Sequence, residues 1–167
     1  PALRGKPQNG LYGDATEELD WSMGVLLETL KEEGLDQNTL IIFTSDNGAD
    51  EHFGGTNRPL RGQKGTTYEG GFRVPCIMRW PAKIPAGQET DNLVTSMDFL
   101  PTLAHYCGYA VPSDRVIDGH NVSGILEGES MASPTETFYY YQKQQLQAVR
   151  WGNWKDHLTL KGRIKGP

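Results

Sequence analysis

Cysteine is scarce in this chain, and long apolar runs are missing. Two cysteines, Cys76 and Cys107, are too few for a disulfide framework, and their apolar neighbours predict buried free thiols. No stretch reaches the roughly 18 apolar residues that a transmembrane helix needs, so we expect no membrane partner. A signal peptide is not visible, but the chain opens with Pro1 and reads as the middle of something longer.

An excess of positive charge is also absent. The formal net charge is −5, which gives no long-range attraction to nucleic acid or to an anionic membrane, so neither is an expected partner. Basic residues nevertheless gather between Arg58 and Arg73, a range in which Glu69 is the one acid. This cluster either attracts an anionic ligand or is simply a solvated loop.

The first part of the chain has the pattern of an α/β fold. Apolar residues at helical spacing follow Asp14, the expected cap, and Gly34 is the expected end of that helix. The short apolar run 40–44 predicts a strand buried on both faces, and residues 74–80 predict a second strand. Pro101 fits the first turn of another helix.

A different pattern begins after Pro134. Aromatic and β-branched runs on either side of the turn dipeptide Gly152-Asn153 predict antiparallel strands. We therefore place a boundary near Pro134, with residues 1–134 in an α/β unit. Residues 135–167 are assigned to the start of a small C-terminal antiparallel subdomain.

Asp46 and Asn47 follow the first predicted strand directly. In open α/β sheets, ligands bind outside the carboxyl ends of the strands. A carboxylate beside a carboxamide offers hard oxygen ligands, which suit Ca²⁺ or Mg²⁺ and suit zinc poorly. The alternative is an ordinary Asx turn, since Asp, Asn and Gly are common turn residues.

Lys64 lies in a loop rich in glycine and threonine. Such a lysine can act as a point charge on an oxyanion, with backbone N–H groups and hydroxyls as further donors. The segment is not a Walker P-loop, because Gly65 follows the lysine and the spacing differs. The alternative is an exposed loop lysine without a ligand.

A series of motifs runs nearly from residue 9 to residue 128. They are Tyr12-Gly13-Asp14, Glu18-Leu19-Asp20, Phe43-Thr44-Ser45-Asp46-Asn47-Gly48, Pro59-Leu60-Arg61-Gly62, Lys64-Gly65-Thr66-Thr67-Tyr68-Glu69-Gly70-Gly71, Arg73-Val74-Pro75, Trp80-Pro81, Asp98-Phe99-Leu100-Pro101-Thr102 and Asp118-Gly119. In order and spacing this series resembles the sulfatase family. The stretch 112–119 and the aromatic hairpin are most similar to the arylsulfatase and N-acetylgalactosamine-6-sulfatase branch.

The resemblance implies an alkaline-phosphatase-like α/β fold, present here in part, and a specific site. In the family a calcium ion is held by an early Asp-Asp pair and by an Asp-Asn pair that matches Asp46 and Asn47; magnesium is the lesser choice. A lysine that matches Lys64 binds a sulfate oxygen, in a catalytic and substrate-binding role. The nucleophile is a formylglycine made in a Cys/Ser-x-Pro-x-Arg motif. The implied substrate is a sulfated carbohydrate or an aryl sulfate ester.

The nucleophile motif and the early Asp-Asp pair are missing from this sequence. Neither Cys76 nor Cys107 has the required neighbours. We interpret the chain as the C-terminal portion of a sulfatase, with its formylglycine in a missing N-terminal half that completes the site. The chain alone is expected to be inactive. The resemblance suggests a secreted, periplasmic or lysosomal protein, and the sequence leaves the compartment open.

A further candidate and two rival functions stay open. His52, in the loop after the Asp-Asn pair, could contact substrate. The first rival function is a phosphatase or phosphodiesterase of the same superfamily, whose zinc-using members place a histidine where this chain has Asn47. The second is a non-catalytic carbohydrate-binding protein that retains the fold.

Overall fold

The computed structural model describes residues 10–129 and 132–158, which form helices and two small antiparallel sheets. The helices are α1 (Gly10–Glu32), α2 (Glu69–Phe72), α3 (Phe99–Tyr106) and α4 (Ser123–Leu126). The strands are β1 (Ile41–Thr44), β2 (Cys76–Arg79), β3 (Thr137–Gln142), β4 (Gln145–Trp151) and β5 (Trp154–His157). Strand β1 pairs with β2, and the order β3-β4-β5 forms the second sheet. None of the described helices is long and apolar enough to cross a membrane.

Helix α1 begins earlier than the sequence predicts. Asp14 is not its cap but a buried residue inside the helix. The added turn brings Tyr12 over Gly55, where a Cβ would lie 3.0 Å from the Tyr12 hydroxyl. We attribute the earlier start to this packing, which outweighs the local capping preference of Asp14. At the other end Gly34 has a φ of 70°, so the predicted end of the helix is confirmed.

The apolar stripe of α1 remains largely open to solvent in the described residues. Leu19 is 55% exposed and Leu26 is 47% exposed, and Trp21 and Val25 are exposed as well. Helices in proteins owe most of their stability to the packing of such a face. The described residues therefore do not supply the packing that this helix needs.

Strands β1 and β2 run antiparallel, with Ile41 opposite Arg79 and Thr44 opposite Cys76. The prediction of a strand buried on both faces is wrong for the described residues, because 41–43 are half-buried and Thr44 is exposed. A two-stranded sheet cannot cover its own faces. The Arg79 guanidinium holds the turn before β1 through two bonds to the Asp36 carboxylate, at 2.6 and 3.1 Å.

The prediction of buried thiols is also wrong. Both cysteines are free and exposed. Cys76 opens β2 in the small sheet, and Cys107 follows the last residue of α3. Apolar sequence neighbours therefore did not place either thiol in the core, because each lies at the end of its element.

Helix α3 is docked through a buried carboxylate that precedes it. Asp98 is 1% exposed, and its two oxygens accept from the backbone N–H groups of Thr95 and His120, each at 2.7 Å. The helix carries Pro101 in its first turn, and Gly108, just beyond its end, has a φ of 74°. The predicted second helix is thus confirmed, with its start at Phe99.

The C-terminal strands form the predicted antiparallel arrangement. Trp151 lies opposite Trp154 around the two-residue turn Gly152-Asn153. The register of β3 against β4 shifts between Tyr140 and Tyr141, which marks a β-bulge. The domain division at residue 134 stays a prediction, and residues 159–167 of the second unit lie outside the described residues.

Candidate active site between strands β1 and β2

Asp46 and Asn47 lie just beyond the end of β1. The Asn47 amide donates from Nδ2 to Asp46 Oδ2 at 2.6 Å, and Ser45 Oγ donates to the Asn47 backbone carbonyl at 2.9 Å. Asp46 is exposed and Asn47 is half-buried. The turn thus presents a carboxylate and a carboxamide side by side.

This pair has the donor chemistry for calcium but supplies only part of a coordination shell. Calcium takes roughly six to eight oxygen ligands, and Asp46 with Asn47 provides fewer. Across residues 10–129 and 132–158, no group of three or more His, Cys, Asp or Glu side chains could hold a metal ion. A calcium ion bound here would need further oxygen ligands beside these two side chains.

Side-chain amides fix the loop that follows the Asp-Asn turn. Asn57 binds the backbone of Ala49 twice: its Oδ1 accepts from the N–H at 2.7 Å, and its Nδ2 donates to the carbonyl at 2.8 Å. The same Ala49 carbonyl accepts from the Lys64 backbone N–H at 3.2 Å. Gln63 Oε1 accepts from the Glu51 N–H at 3.1 Å. These bonds fasten the Lys64 segment to the chain directly after the Asp-Asn turn.

Three glycines allow the two ends of this loop to meet. The Gly48 N–H donates to the Gly71 carbonyl at 3.0 Å, and the Gly70 N–H donates to the Arg61 carbonyl at 2.8 Å. A Cβ at Gly48, Gly70 or Gly71 would collide with a carbonyl oxygen of a facing segment. The Gly-Gly motif after Glu69 therefore has a steric role in closing the loop.

His52 is held by a neighbouring carboxylate. Asp50 Oδ1 accepts from the His52 backbone N–H at 3.0 Å and lies 2.9 Å from His52 Nδ1. Hydrogen bonding from His52 lowers the pKa of the Asp50 carboxyl, and the positive charge of Lys64 lowers this pKa further. Asp50 is therefore bonded to His52 and is also influenced by the charge of Lys64. Both His52 and Lys64 are exposed, and their contact with substrate stays a prediction.

Known proteins resemble this chain in sequence and in geometry. The sulfatase family model matches residues 5–109. The chain is 46% identical over 155 residues to steryl-sulfatase of Homo sapiens, and the match covers 88% of this chain and 27% of that protein. It is 41% identical over 158 residues to N-acetylgalactosamine-6-sulfatase of Canis lupus familiaris, and this match covers 92% of this chain and 30% of that protein. The crystal structure of the PsFucS1 sulfatase from Pseudoalteromonas sp. matches with a TM-score of 0.80 at 38% sequence identity. This match covers 86% of this chain and 30% of the PsFucS1 chain.

The chain belongs to the sulfatase family. The resemblance expected from the motifs is thereby confirmed, and so is the alkaline-phosphatase-like α/β fold, of which this chain contains a part. This sulfatase-family chain spans less than a third of the length of the relatives just described, 27% and 30%.

In this sulfatase-family chain, the C-terminal sheet packs against the Lys64 loop. Lys155 Nζ donates to Glu69 Oε1 at 2.7 Å, with side chains that are 12% and 29% exposed. The same ammonium lies 3.4 Å from the centroid of the Tyr140 ring. Burial lowers the pKa of Lys155 and raises the pKa of Tyr140. The ion pair joins β5 to α2, which follows the Lys64 segment.

The sequence reasoning missed Asp50, Asn57 and Lys155. The Asp-x-His pattern is typical of an Asx turn and could have identified Asp50 as the partner of His52. Lys155 pairs with Glu69 across 86 residues, and no local pattern predicts a contact at that separation.

Proposed function

We propose that the protein containing this chain is a sulfuric ester hydrolase that acts on a sulfated carbohydrate or an aryl sulfate ester. The observation that carries the proposal is the shared backbone contact of two segments. The Lys64 backbone N–H binds the carbonyl of Ala49, just after Asp46 and Asn47. Oxygen donors and a cationic side chain therefore belong to one loop system. Membership of the sulfatase family supports a sulfate group as the anion.

Asp46 and Asn47 would hold the cation, with calcium preferred to magnesium because both side chains offer flexible oxygen donors. A bound calcium ion supplies positive charge that offsets charge on the sulfate oxygens. Zinc is disfavoured, since Asn47 stands where a zinc-binding member of the superfamily has histidine. This preference separates the proposal from the phosphatase rival.

Lys64 would donate to a sulfate oxygen as a compact point charge, in a catalytic and substrate-binding role. His52 would contact the substrate beside it, oriented by Asp50. The nucleophile, a formylglycine, belongs in this proposal to an N-terminal half that joins this chain to complete the site. Residues 1–134 would then finish the catalytic domain, and residues 135–167 would begin the smaller subdomain.

The test is hydrolysis of a chromogenic aryl sulfate by the full-length protein with calcium present. We expect Lys64→Ala to lower kcat/KM by roughly 10²–10³, the usual cost of removing one preorganised donor. Lys64→Arg should rescue poorly, because a planar guanidinium does not replace an ammonium. Lys31→Ala, at an exposed lysine in the last turn of α1, is the matched control and should keep wild-type activity.

Three results would contradict the proposal in different ways. Near-wild-type kcat/KM in Lys64→Ala would remove this lysine from the site. Two bound zinc ions in metal analysis would favour the phosphatase. Absence of a Cys/Ser-x-Pro-x-Arg motif upstream, together with sugar binding but no hydrolysis, would favour the non-catalytic carbohydrate-binding protein.

A further inference from the structure

A directional chain of hydrogen bonds connects the C-terminal sheet to the Lys64 segment. Thr67 Oγ1 donates to Gln147 Oε1 at 3.0 Å, and Gln147 Nε2 donates to Gln142 Oε1 at 2.7 Å. Gln142 Nε2 then donates to the backbone carbonyl of Gly65 at 3.0 Å. These four residues, here named the glutamine relay, begin and end on the loop that carries Lys64.

The relay is buried at its inner end. Thr67 is 5% exposed and Gln147 is 8% exposed, while Gln142 is half-buried. In such a setting each amide group must find a partner, and a network with one reversed member loses more than one bond. The three hydrogen bonds all run in one direction, from Thr67 through Gln147 and Gln142 to Gly65. The relay therefore has one polarity and holds the loop in one arrangement.

A β-bulge aims Gln147 at the loop. Tyr140 lies opposite Ala148 and Tyr141 lies opposite Leu146, so Gln147 is the extra residue of β4. Successive side chains of a regular strand point to opposite faces, yet Gln147 and Ala148 are both buried. Bulges are known to redirect a side chain next to functional sites. Here the bulge turns a polar amide toward Thr67.

The relay acts on a glycine of the loop. Gly65 has a φ of 84° and no Cβ, so its backbone alone allows many conformations. Its carbonyl is held by Gln142 on one side of the segment, and the Lys64 N–H is held by Ala49 on the other. The backbone beneath the lysine is thus fixed from both the β1–β2 side and the C-terminal sheet.

We propose that Gln142 and Gln147 are positioning residues that set the Lys64 ammonium in place for the sulfate group. The C-terminal antiparallel sheet is then a required part of the active site. This inference rests on the proposed role of Lys64, and the experiment below separates a failure of the relay from a failure of that role.

The test variant is Gln147→Glu in the full-length protein. A glutamate has the shape of glutamine and still accepts from Thr67, but its carboxylate cannot donate to Gln142. We expect kcat/KM for the aryl sulfate to fall by roughly 10-fold to 100-fold, because small misplacements of catalytic groups are costly. Gln142→Glu, at a half-buried position, should show the same effect and serves if the first variant fails to fold.

The pH profile gives a readout that a merely structural role would not move. Once protonated, the carboxyl group introduced by Gln147→Glu donates again to Gln142 and restores the relay. The activity of Gln147→Glu relative to wild type should therefore rise as the pH falls through the pKa of the new carboxyl, which burial raises. In the Lys64→Ala background, Gln147→Glu should cause no further loss of kcat/KM, because it acts through Lys64.

Two controls are matched to this variant. Gln144→Glu makes the same change at an exposed residue of the β3–β4 turn and should keep wild-type activity. Thr102→Val removes a buried acceptor of the Val122 N–H at 3.0 Å, far along the chain from the relay, and should lower stability without lowering kcat.

The outcomes separate the two ideas. Loss of activity in Lys64→Ala with full activity in Gln147→Glu and Gln142→Glu overturns the relay and leaves the proposed function standing. Full activity in Lys64→Ala overturns both. The positioning role is also overturned if the losses of Gln147→Glu and Lys64→Ala add in the double variant. It is overturned as well if Thr102→Val loses kcat to the same extent as Gln147→Glu. A pH-dependent loss that disappears without Lys64 supports it.

Discussion

Replacing Lys155 by methionine tests the junction between the C-terminal sheet and the Lys64 loop in energetic terms. The Lys155 ammonium lies 2.7 Å from Glu69 Oε1 and 3.4 Å from the Tyr140 ring centroid. Methionine keeps most of the apolar stem but removes the charge. A hydrogen bond between charged groups contributes about 1.5–3 kcal/mol, and a cation–π contact adds about 0.5–2 kcal/mol.

We expect Lys155→Met to lower the free energy of unfolding by about 3 kcal/mol, because Glu69 is left as a mostly buried anion without its partner. The 29% exposure of the Glu69 side chain keeps this loss at the low end for buried pairs. The assay is urea-induced unfolding of the full-length protein. Adding Glu69→Gln should recover part of the loss, because no unpaired anion remains. A loss below about 0.5 kcal/mol, with no recovery in the double variant, would refute this reasoning.

Three further predictions concern the rest of the chain. The Arg79 hydrogen bond lowers the pKa of Asp36 below its ordinary value of 3.8. The ionised Asp36 carboxylate therefore stabilises the fold above pH 3.8, and this contribution is lost as the pH falls through the lower pKa of the folded state. Asp36→Asn should remove that acid dependence from a series of unfolding midpoints, and an unchanged series would contradict this. Gly48→Ala should lower stability by about 1–3 kcal/mol because its Cβ would meet a carbonyl oxygen, whereas Gly24→Ala should not, since its Cβ would have no neighbour within 4 Å among the described residues; equal melting temperatures of the two variants would exclude the clash. The 167-residue chain alone should hydrolyse no chromogenic aryl sulfate after co-expression with a formylglycine-generating enzyme, and turnover above a Lys64→Ala control would disprove this.

Local patterns predicted several elements because their causes are local. Gly34 ends α1 through its own left-handed backbone, and Pro101 fits the first turn of α3. The aromatic and β-branched runs on either side of the turn dipeptide Gly152-Asn153 likewise predicted the β4–β5 hairpin. The Asp-Asn turn was placed correctly after β1 for the same reason, since a short apolar run leads directly into it.

The errors arose where distant residues decide the outcome. The start of α1 depends on the packing of Tyr12 over Gly55, which no capping rule contains. The burial of β1 depends on what covers its sheet, and residues 41–43 are only half-buried. Gln147 reads as one polar residue of a strand, and its inward direction comes from a bulge in the pairing with β3.

The long reach of the contacts around Lys64 has a consequence for the time course of folding. Gly65 and Gln142 are 77 residues apart, and Thr67 and Gln147 are 80 residues apart. Contacts at such separations form late, since the entropy of closing a long segment must be overcome before they contribute. The backbone hydrogen bonds of helix α1, in contrast, join residues that are close in sequence. During refolding, helical signal should therefore return before these long-range hydrogen bonds form, and a molecule halted between these stages would look largely folded while its Lys64 loop was not yet held in place.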